Sequence, residues 1–416
     1  MNVPRRQRDR RPGVQSGGGA TARSKDKVSA ADARILARLD NALHRLWRYG
    51  RNIMLAWCKA DSAISILLVP NYLPAEMLSG GNAGEPAAIE RGRAVQDLID
   101  GRKQIAPRRM RALASLLGVT PHRIPLNAAF RSPRLGAVEE IVRRYSVSRF
   151  DDRAVVLFDI VGFSLGDPLA QLTQLNSLAY SINVAHERLR LRVTNVDIAR
   201  TTTGDGYYVW NRHSGVAANI NLYHLMHLVL ADNAIARAKS RPGIVPLLKT
   251  AYHIGSHYEF FQAEALRPTR YSYIVGDVTI QIARLMDRAL AGQVVVGEFN
   301  VTMPEAENSD ARVRMDSATF IDRLQKSLGV VQGMVLSGER VTSIKCYLTG
   351  PRERDGGYGV TRYQLADKHG LKHAAYNAKI NIFRESGPPI FLGLQEIELG
   401  AQGWGREDHP PPFPHG

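Results

Sequence analysis

Two aspartates are placed where they could do chemistry, because each sits at the point where a strand stops. Asp159 ends the apolar run of VVLFDIVGFS, and Asp205 lies at the tip of TTTGDGYY, where an Asp–Gly turn leaves the carboxylate free. Adjacent strands end about 5 Å apart, close enough for two carboxylates to share divalent cations, which as hard ions take oxygen ligands. After Asp159, Val161–Gly162–Phe163 starts a turn into a helix, and Gly162 lets backbone N–H groups approach a phosphate. Together these features read as a metal–triphosphate site. Singly each is modest, since a strand-end Asp is commonly a turn former or helix cap and Asp–Gly is the commonest hairpin turn.

The elements that must position these residues follow from periodicity. Ala154–Ile160 is a continuous apolar run, a buried strand, and Pro168–Arg190 is helical with Leu172, Leu175, Leu178, Ile182 and Ala185 toward the core. Arg192–Arg200 and Tyr207–Trp210 flank the TTTGDG turn as a hairpin, Val216–Ala238 is a helix, and Leu248–Phe261 pairs with Arg270–Val275. A helix over Asp277–Leu290 and a strand over Gln293–Gly297 follow, then a polar loop over 301–317. The expected fold is α/β (α+β), one mixed sheet covered by helices.

Charge divides the 416-residue chain. Its 55 Lys/Arg and 39 Asp/Glu give a net charge of +16, and residues 1–150 hold 27 of the basic and 12 of the acidic groups. The remainder is balanced, so a uniformly basic nucleic-acid coat is excluded and two different jobs are expected. Residues 1–27 read as a disordered basic tail and 28–130 as a helical region, with one amphipathic helix from Ala30 to about Ser65 and another opened by Pro107 and closed by Gly118. Residues 131–150 read as a linker, 151–300 as the catalytic domain, 301–400 as a C-terminal α/β extension and 401–416 as a flexible Pro-rich tail.

Cys58 and Cys346 form no CxxC pair, no apolar run reaches the roughly 20 residues that span a bilayer, and the N-terminus has no apolar signal core. A cytoplasmic protein with no membrane partner is expected. His224, His227, His253 and His257 have spacings that could seat a metal but no clear third ligand, and read as polar positions on amphipathic elements.

The order VVLFDIVGFS, TTTGDGYYVW, YIVGDVTIQIARLM, AGQVVVGEF closely resembles the class III nucleotidyl cyclase homology domain over residues 153–300. The resemblance implies that Asp159 and Asp205, with the backbone carbonyl of Ile160, bind two Mg²⁺ or Mn²⁺ ions. It implies a nucleotide-binding turn at Gly162 and Phe163, and it puts Arg284 on the transition-state arginine. It also implies a homodimer with active sites at the interface. A guanidinium and metals suit intramolecular attack of a ribose 3′-OH on an α-phosphate, because charge builds on phosphoryl oxygens.

Purine cyclases read their base at two positions, here Thr201 and Tyr273. Thr201 offers neither the Lys that adenylyl cyclases use nor the Glu of guanylyl cyclases, and a tyrosine at 273 fills space that a bicyclic base needs. The ribose-positioning asparagine is replaced by Ile280. These departures resemble the pyrimidine cyclases of bacterial Pycsar anti-phage systems, which implies cyclic UMP or cyclic CMP as product and a separate cyclic-nucleotide-activated effector not contacted directly; UTP is the expected substrate over CTP, although Thr201 and Tyr273 can each donate or accept and do not separate O4 from N4.

An adenylyl or guanylyl cyclase is the alternative. A further one is a catalytically dead, dimeric DNA-binding regulator, since LASLLGVTP resembles the helices that follow the recognition helix of phage-repressor domains. Nucleic acid is not the expected partner. Lys345 and Lys368 are candidate triphosphate contacts from the C-terminal extension.

Overall fold

The computed structural model describes residues 30–80, 85–126, 132–263, 270–306, 309–352, 359–367, 370–401 and 404. The basic tail expected over 1–27 lies outside them.

The N-terminal module is three layers. Helix α1 (Ala30–Trp47) leads into strands β1 (Asn52–Ala60) and β2 (Ala63–Pro70), then helices α2 (Leu73–Gly80), α3 (Pro86–Asp100) and α4 (Pro107–Leu117), strand β3 (His122–Pro125) and helix α5 (Ser132–Arg143). The single helix expected to about Ser65 therefore ends at Trp47, and a β-hairpin follows. Its strands form the antiparallel sheet β1-β2-β3. One face packs Met54, Trp57 and Ile64 on Leu39, Leu43 and Val142, and the other packs Leu55, Leu67 and Val69 on Leu98, Met110 and Leu113. A strand buried on both faces shows no two-residue alternation, which is why its periodicity misleads. The expected linker is also structured: α5 closes the module through Val138, Ile141 and Val142.

Strand β4 (Ser148–Ile160) enters the second sheet. Helix α6 (Pro168–Arg190), strands β5 (Ile198–Thr202) and β6 (Gly206–Asn211), and helix α7 (Val216–Lys239) follow. Then come β7 (Leu248–Ala263), β8 (Arg270–Val275), α8 (Asp277–Arg288), β9 (Val294–Gly297) and the hairpin β10 (Asn300–Pro304) with β11 (Arg312–Asp316). The 301–317 stretch expected as a loop is thus a two-stranded hairpin, its exposed residues alternating with buried Met303 and Met315.

The chain continues through α9 (Ser317–Ser327), β12 (Val335–Leu336), β13 (Glu339–Leu348), β14 (Arg362–Ala366), β15 (Lys372–Arg384), β16 (Ile390–Leu392) and α10 (Glu396–Ala401). The main path of the sheet is β12-β13-β15-β9-β7-β4-β6-β5, with β14 and β16 pairing β15 and β8 pairing β7. Most pairs are antiparallel and β7–β9 is parallel, so the sheet is mixed, as expected. Within residues 301–400, β13 and β15 continue the same sheet through β9. Of the tail expected to be flexible, Trp404 is buried against Tyr363 and donates to the Arg288 carbonyl at 2.9 Å.

Helices cover both faces. Ala154, Val156, Phe158 and Ile160 of β4 point to α6 and α7, while Val155 and Leu157 point to α8. Helix α7 is buried nearly all round, so His224 and His227 are core residues and not polar positions of an amphipathic helix. His253 and His257 of β7 are buried too, and desolvation lowers all four, to about 4 for His224 and His253 and about 3 for His257. Leu172 of α6, expected in the core, is 55% exposed, because the helix's apolar stripe runs on beyond the part that packs on the sheet.

Candidate active site

Alternation along β4 puts Asp159 on the α8 face, and the register pairs it with Gly206 of β6 on one side and Lys249 of β7 on the other. Gly206 is required there, since a Cβ would run into the Phe158 carbonyl. This close approach brings the turn bearing Asp205 against β4, and the Ile160 N–H donates to the Asp205 carbonyl at 3.0 Å. Thr203 Oγ1 steadies the Asp205 carboxylate by donating to Oδ1 at 3.2 Å.

Lys249 Nζ lies 2.9 Å from Asp159 Oδ2 and donates to the Met286 carbonyl at 3.2 Å. Nothing local in the sequence marks the lysine; only the cross-strand register brings it to Asp159. Burial pushes the Asp159 carboxyl above the usual carboxylate range, Lys249 pulls it down, and the Asp205 carboxylate pushes it up again. One ammonium does not balance two carboxylates.

That residual demand for positive charge, met by oxygen donors, fits a divalent cation. Lys249, at 2.9 Å from Asp159 Oδ2, would compete with such an ion for that carboxylate. Asp159, Asp205 and the main chain of Ile160 are the groups present to hold it. Among the described residues no group of three or more His, Cys, Asp or Glu converges that could hold a metal ion. Beside the carboxylates, Gly162 adopts φ +67°, and the 3₁₀ turn Phe163–Leu165 follows, with Phe163 half-buried on the α6 side.

The other expected residues scatter. Thr201 is half-buried on β5 opposite Tyr208, whose hydroxyl donates to the Thr279 carbonyl of α8 at 3.4 Å. Tyr273 is on β8 and its ring stacks on Phe260 with centroids 5.9 Å apart. Ile274 packs toward α8, so Tyr273 points to the opposite face, and one chain does not close Thr201 and Tyr273 around a single base. Ile280 is 48% exposed. Arg284 does not join the carboxylates and is instead bound to Asp367 and His373. Lys345 lies on β13, four strands from β4 and so about 19 Å away at ordinary strand spacing, which removes it from the site. Lys368 lies outside the described residues.

No protein-family model matches the chain, and no curated protein matches it. Solved structures do. The guanylate cyclase domain of RhGC from Catenaria anguillulae in complex with GTP is similar with a TM-score of 0.33 and 11% identity, over 57% of this chain and 100% of that one. The adenylyl cyclase CyaB from P. aeruginosa is similar with a TM-score of 0.33 and 14% identity, over 56% and 95%. The guanylyl cyclase Cya2 gives 0.28 and 12%, over 56% and 92%. No helix among the described residues is long and apolar enough to cross a membrane.

Proposed function

We propose that this chain is a nucleotidyl cyclase that converts a pyrimidine nucleoside triphosphate, UTP in preference to CTP, into the 3′,5′-cyclic monophosphate and diphosphate. The ribose 3′-oxygen bonds to the α-phosphorus as the 3′-hydroxyl gives its proton to solvent, and the bond from the α-phosphorus to the bridging oxygen breaks to release diphosphate. The observation that carries the reading is the Asp159–Asp205 pair, under-neutralised at adjoining strand ends with Lys249 at 2.9 Å. Mg²⁺ or Mn²⁺ there would supply stabilisation of the charge that develops on the phosphoryl group. Asp159, Asp205 and the Ile160 main chain would hold the ions, and the turn at Gly162 and Phe163 offers backbone N–H groups to the triphosphate. Lys249, no longer needed to neutralise Asp159 in that state, has a flexible stem and can turn its ammonium to a phosphate oxygen.

Arg284 of a second copy completes each site in this reading. A homodimer is supported by the apolar surface of Leu165, Leu169, Leu172 and Tyr180, all at least 55% exposed, and of Val275 and Ile280. Pyrimidine preference is supported by Thr201, paired across the strands with Tyr208, which offers a hydroxyl where a purine reader needs Lys or Glu. The cyclic product is a second messenger for anti-phage defence, read by a separate effector.

The test is incubation of the full chain with Mn²⁺ and each of UTP, CTP, ATP and GTP, with products resolved by mass spectrometry. Cyclic UMP with equimolar diphosphate is expected. Product from ATP or GTP alone would make it a purine cyclase. No cyclic product from any nucleotide, with salt-dependent DNA retention, would favour the regulator.

A further inference from the structure

The hairpin of β14 and β15 packs against α8 beside Arg284, and its ionic contacts are more specific than a solvated edge requires. Asp367, immediately after β14, has a side chain only 1% exposed. Its Oδ1 accepts from the Leu371 N–H at 2.9 Å, and its own N–H donates to the Leu371 carbonyl at 2.9 Å, so the acid is anchored in the turn. Its Oδ2 meets Arg284 Nη1 at 3.0 Å and lies 3.1 Å from His373 Nε2.

His373 is itself fixed, with Nδ1 2.7 Å from Oε1 of Gln281, one turn before Arg284 on α8. His373 Nε2 lies against both groups, 3.1 Å from Asp367 Oδ2 and 3.3 Å from Arg284 Nη1, so the ring holds the carboxylate and the guanidinium together. The Asp367 carboxylate thus takes hold of one nitrogen of the guanidinium, and His373 packs against the same nitrogen. Nη2 and Nε make no hydrogen bond among the described residues, and the side chain is 28% exposed.

We infer that Asp367 and His373 are positioning residues for Arg284, holding one nitrogen of its guanidinium so that its remaining donors point outward to an oxyanion. The physical case is pre-organisation. A buried carboxylate needs a cation, which ties the arginine down, and a guanidinium gripped at one nitrogen keeps a rigid donor edge for phosphoryl oxygens. Strands late in the chain, outside the region of cyclase resemblance, would then serve the reaction by aiming that edge. The inference rests on the cyclase reading for its consequence and on Asp367 and His373 alone for its geometry.

The test uses the full chain with Arg284→Ala, Asp367→Asn, Asp367→Glu, His373→Gln and the double variant Asp367→Asn/Arg284→Ala. Phenylglyoxal modification of Arg284, read by peptide mass spectrometry, should be slow in the parent and several-fold faster in Asp367→Asn, at a matched thermal midpoint. Equal rates would overturn the inference whether or not the chain cyclises anything.

Kinetically, Asp367→Asn should lower kcat on the order of 10–100-fold, the usual range for a residue that orients a ligand or catalytic group, with KM for UTP little changed. Asp367→Glu should restore part of it. In the Arg284→Ala background Asp367→Asn should cost nothing further, because both act through one group. Fully additive losses, or an undiminished kcat, would contradict positioning. Faster modification together with no cyclisation by the parent would leave the positioning standing and refute the cyclase reading instead.

Discussion

Two acids on the α8 face of the sheet, Asp159 and Glu259, have side chains 14% and 10% exposed and respond to burial in opposite ways. Burial pushes Asp159 up and Lys249 does not make up the difference while Asp205 adds to it. Burial pushes Glu259 up as well, but Arg153 at 2.7 Å, Arg212 at 3.7 Å and the Trp210 indole at 3.2 Å together bring it below its ordinary value. The arginine is fixed in turn, with its guanidinium carbon 3.4 Å from the Phe150 ring centroid. Glu259 is saturated and structural, whereas Asp159 remains short of positive charge. What separates a site from a strut here is that deficit and not burial.

The comparison can be broken from either end. The largest expected effect is on turnover: Asp159→Asn or Asp205→Asn should reduce UTP cyclisation by at least about 10³-fold, in the range seen when a group stabilising transition-state charge is removed, with the fold intact by circular dichroism. Retained turnover would remove the carboxylate site. Next is stability: Glu259→Ala leaves Arg153 buried without its partner and should cost about 3–5 kcal/mol in denaturant unfolding, whereas Asp159→Asn should change stability by less than about 1 kcal/mol. Equal losses would erase the distinction.

A smaller effect is expected for Lys249→Met. Without the competing ammonium, Mn²⁺ should bind the nucleotide-free protein more tightly, about tenfold by calorimetry, equivalent to about 1.4 kcal/mol. Weaker binding would show that Lys249 organises the site and does not stand in for an ion. The smallest effect is in pH dependence, and the signs are opposed. Glu259 is lowered from 4.5, so its stabilisation is present above that value and lost as pH falls through its folded pKa. Asp159 is raised from 3.8, so its ionisation costs stability at neutral pH, and the cost disappears as pH falls through its folded pKa. The stability difference between the parent and Asp159→Asn should therefore shrink on acidification, while that for Glu259→Gln should shrink only at lower pH.

How much of this was legible varies with the physics. Asp159 and Asp205 could be found because a charge ending an apolar run and a DG turn are local signals. Lys249 and the Arg153–Glu259 pair, 106 positions apart, could not, because strand register creates those contacts. The mixed sheet and its helices were readable from periodicity. The N-terminal hairpin was not, since β1 and β2 are buried on both faces. Asp367 and His373 carry no local signal of a link to Arg284, because that link comes from the packing of α8 on β15.

The central claim is that the two strand-end carboxylates cyclise a nucleoside triphosphate. Its most direct test is the rate of cyclic UMP formation from UTP and Mn²⁺ by the purified full chain, side by side with Asp205→Asn. Cyclic UMP and diphosphate in equal amounts from the parent and none from the variant is the predicted result, and the same rate from both proteins would contradict it.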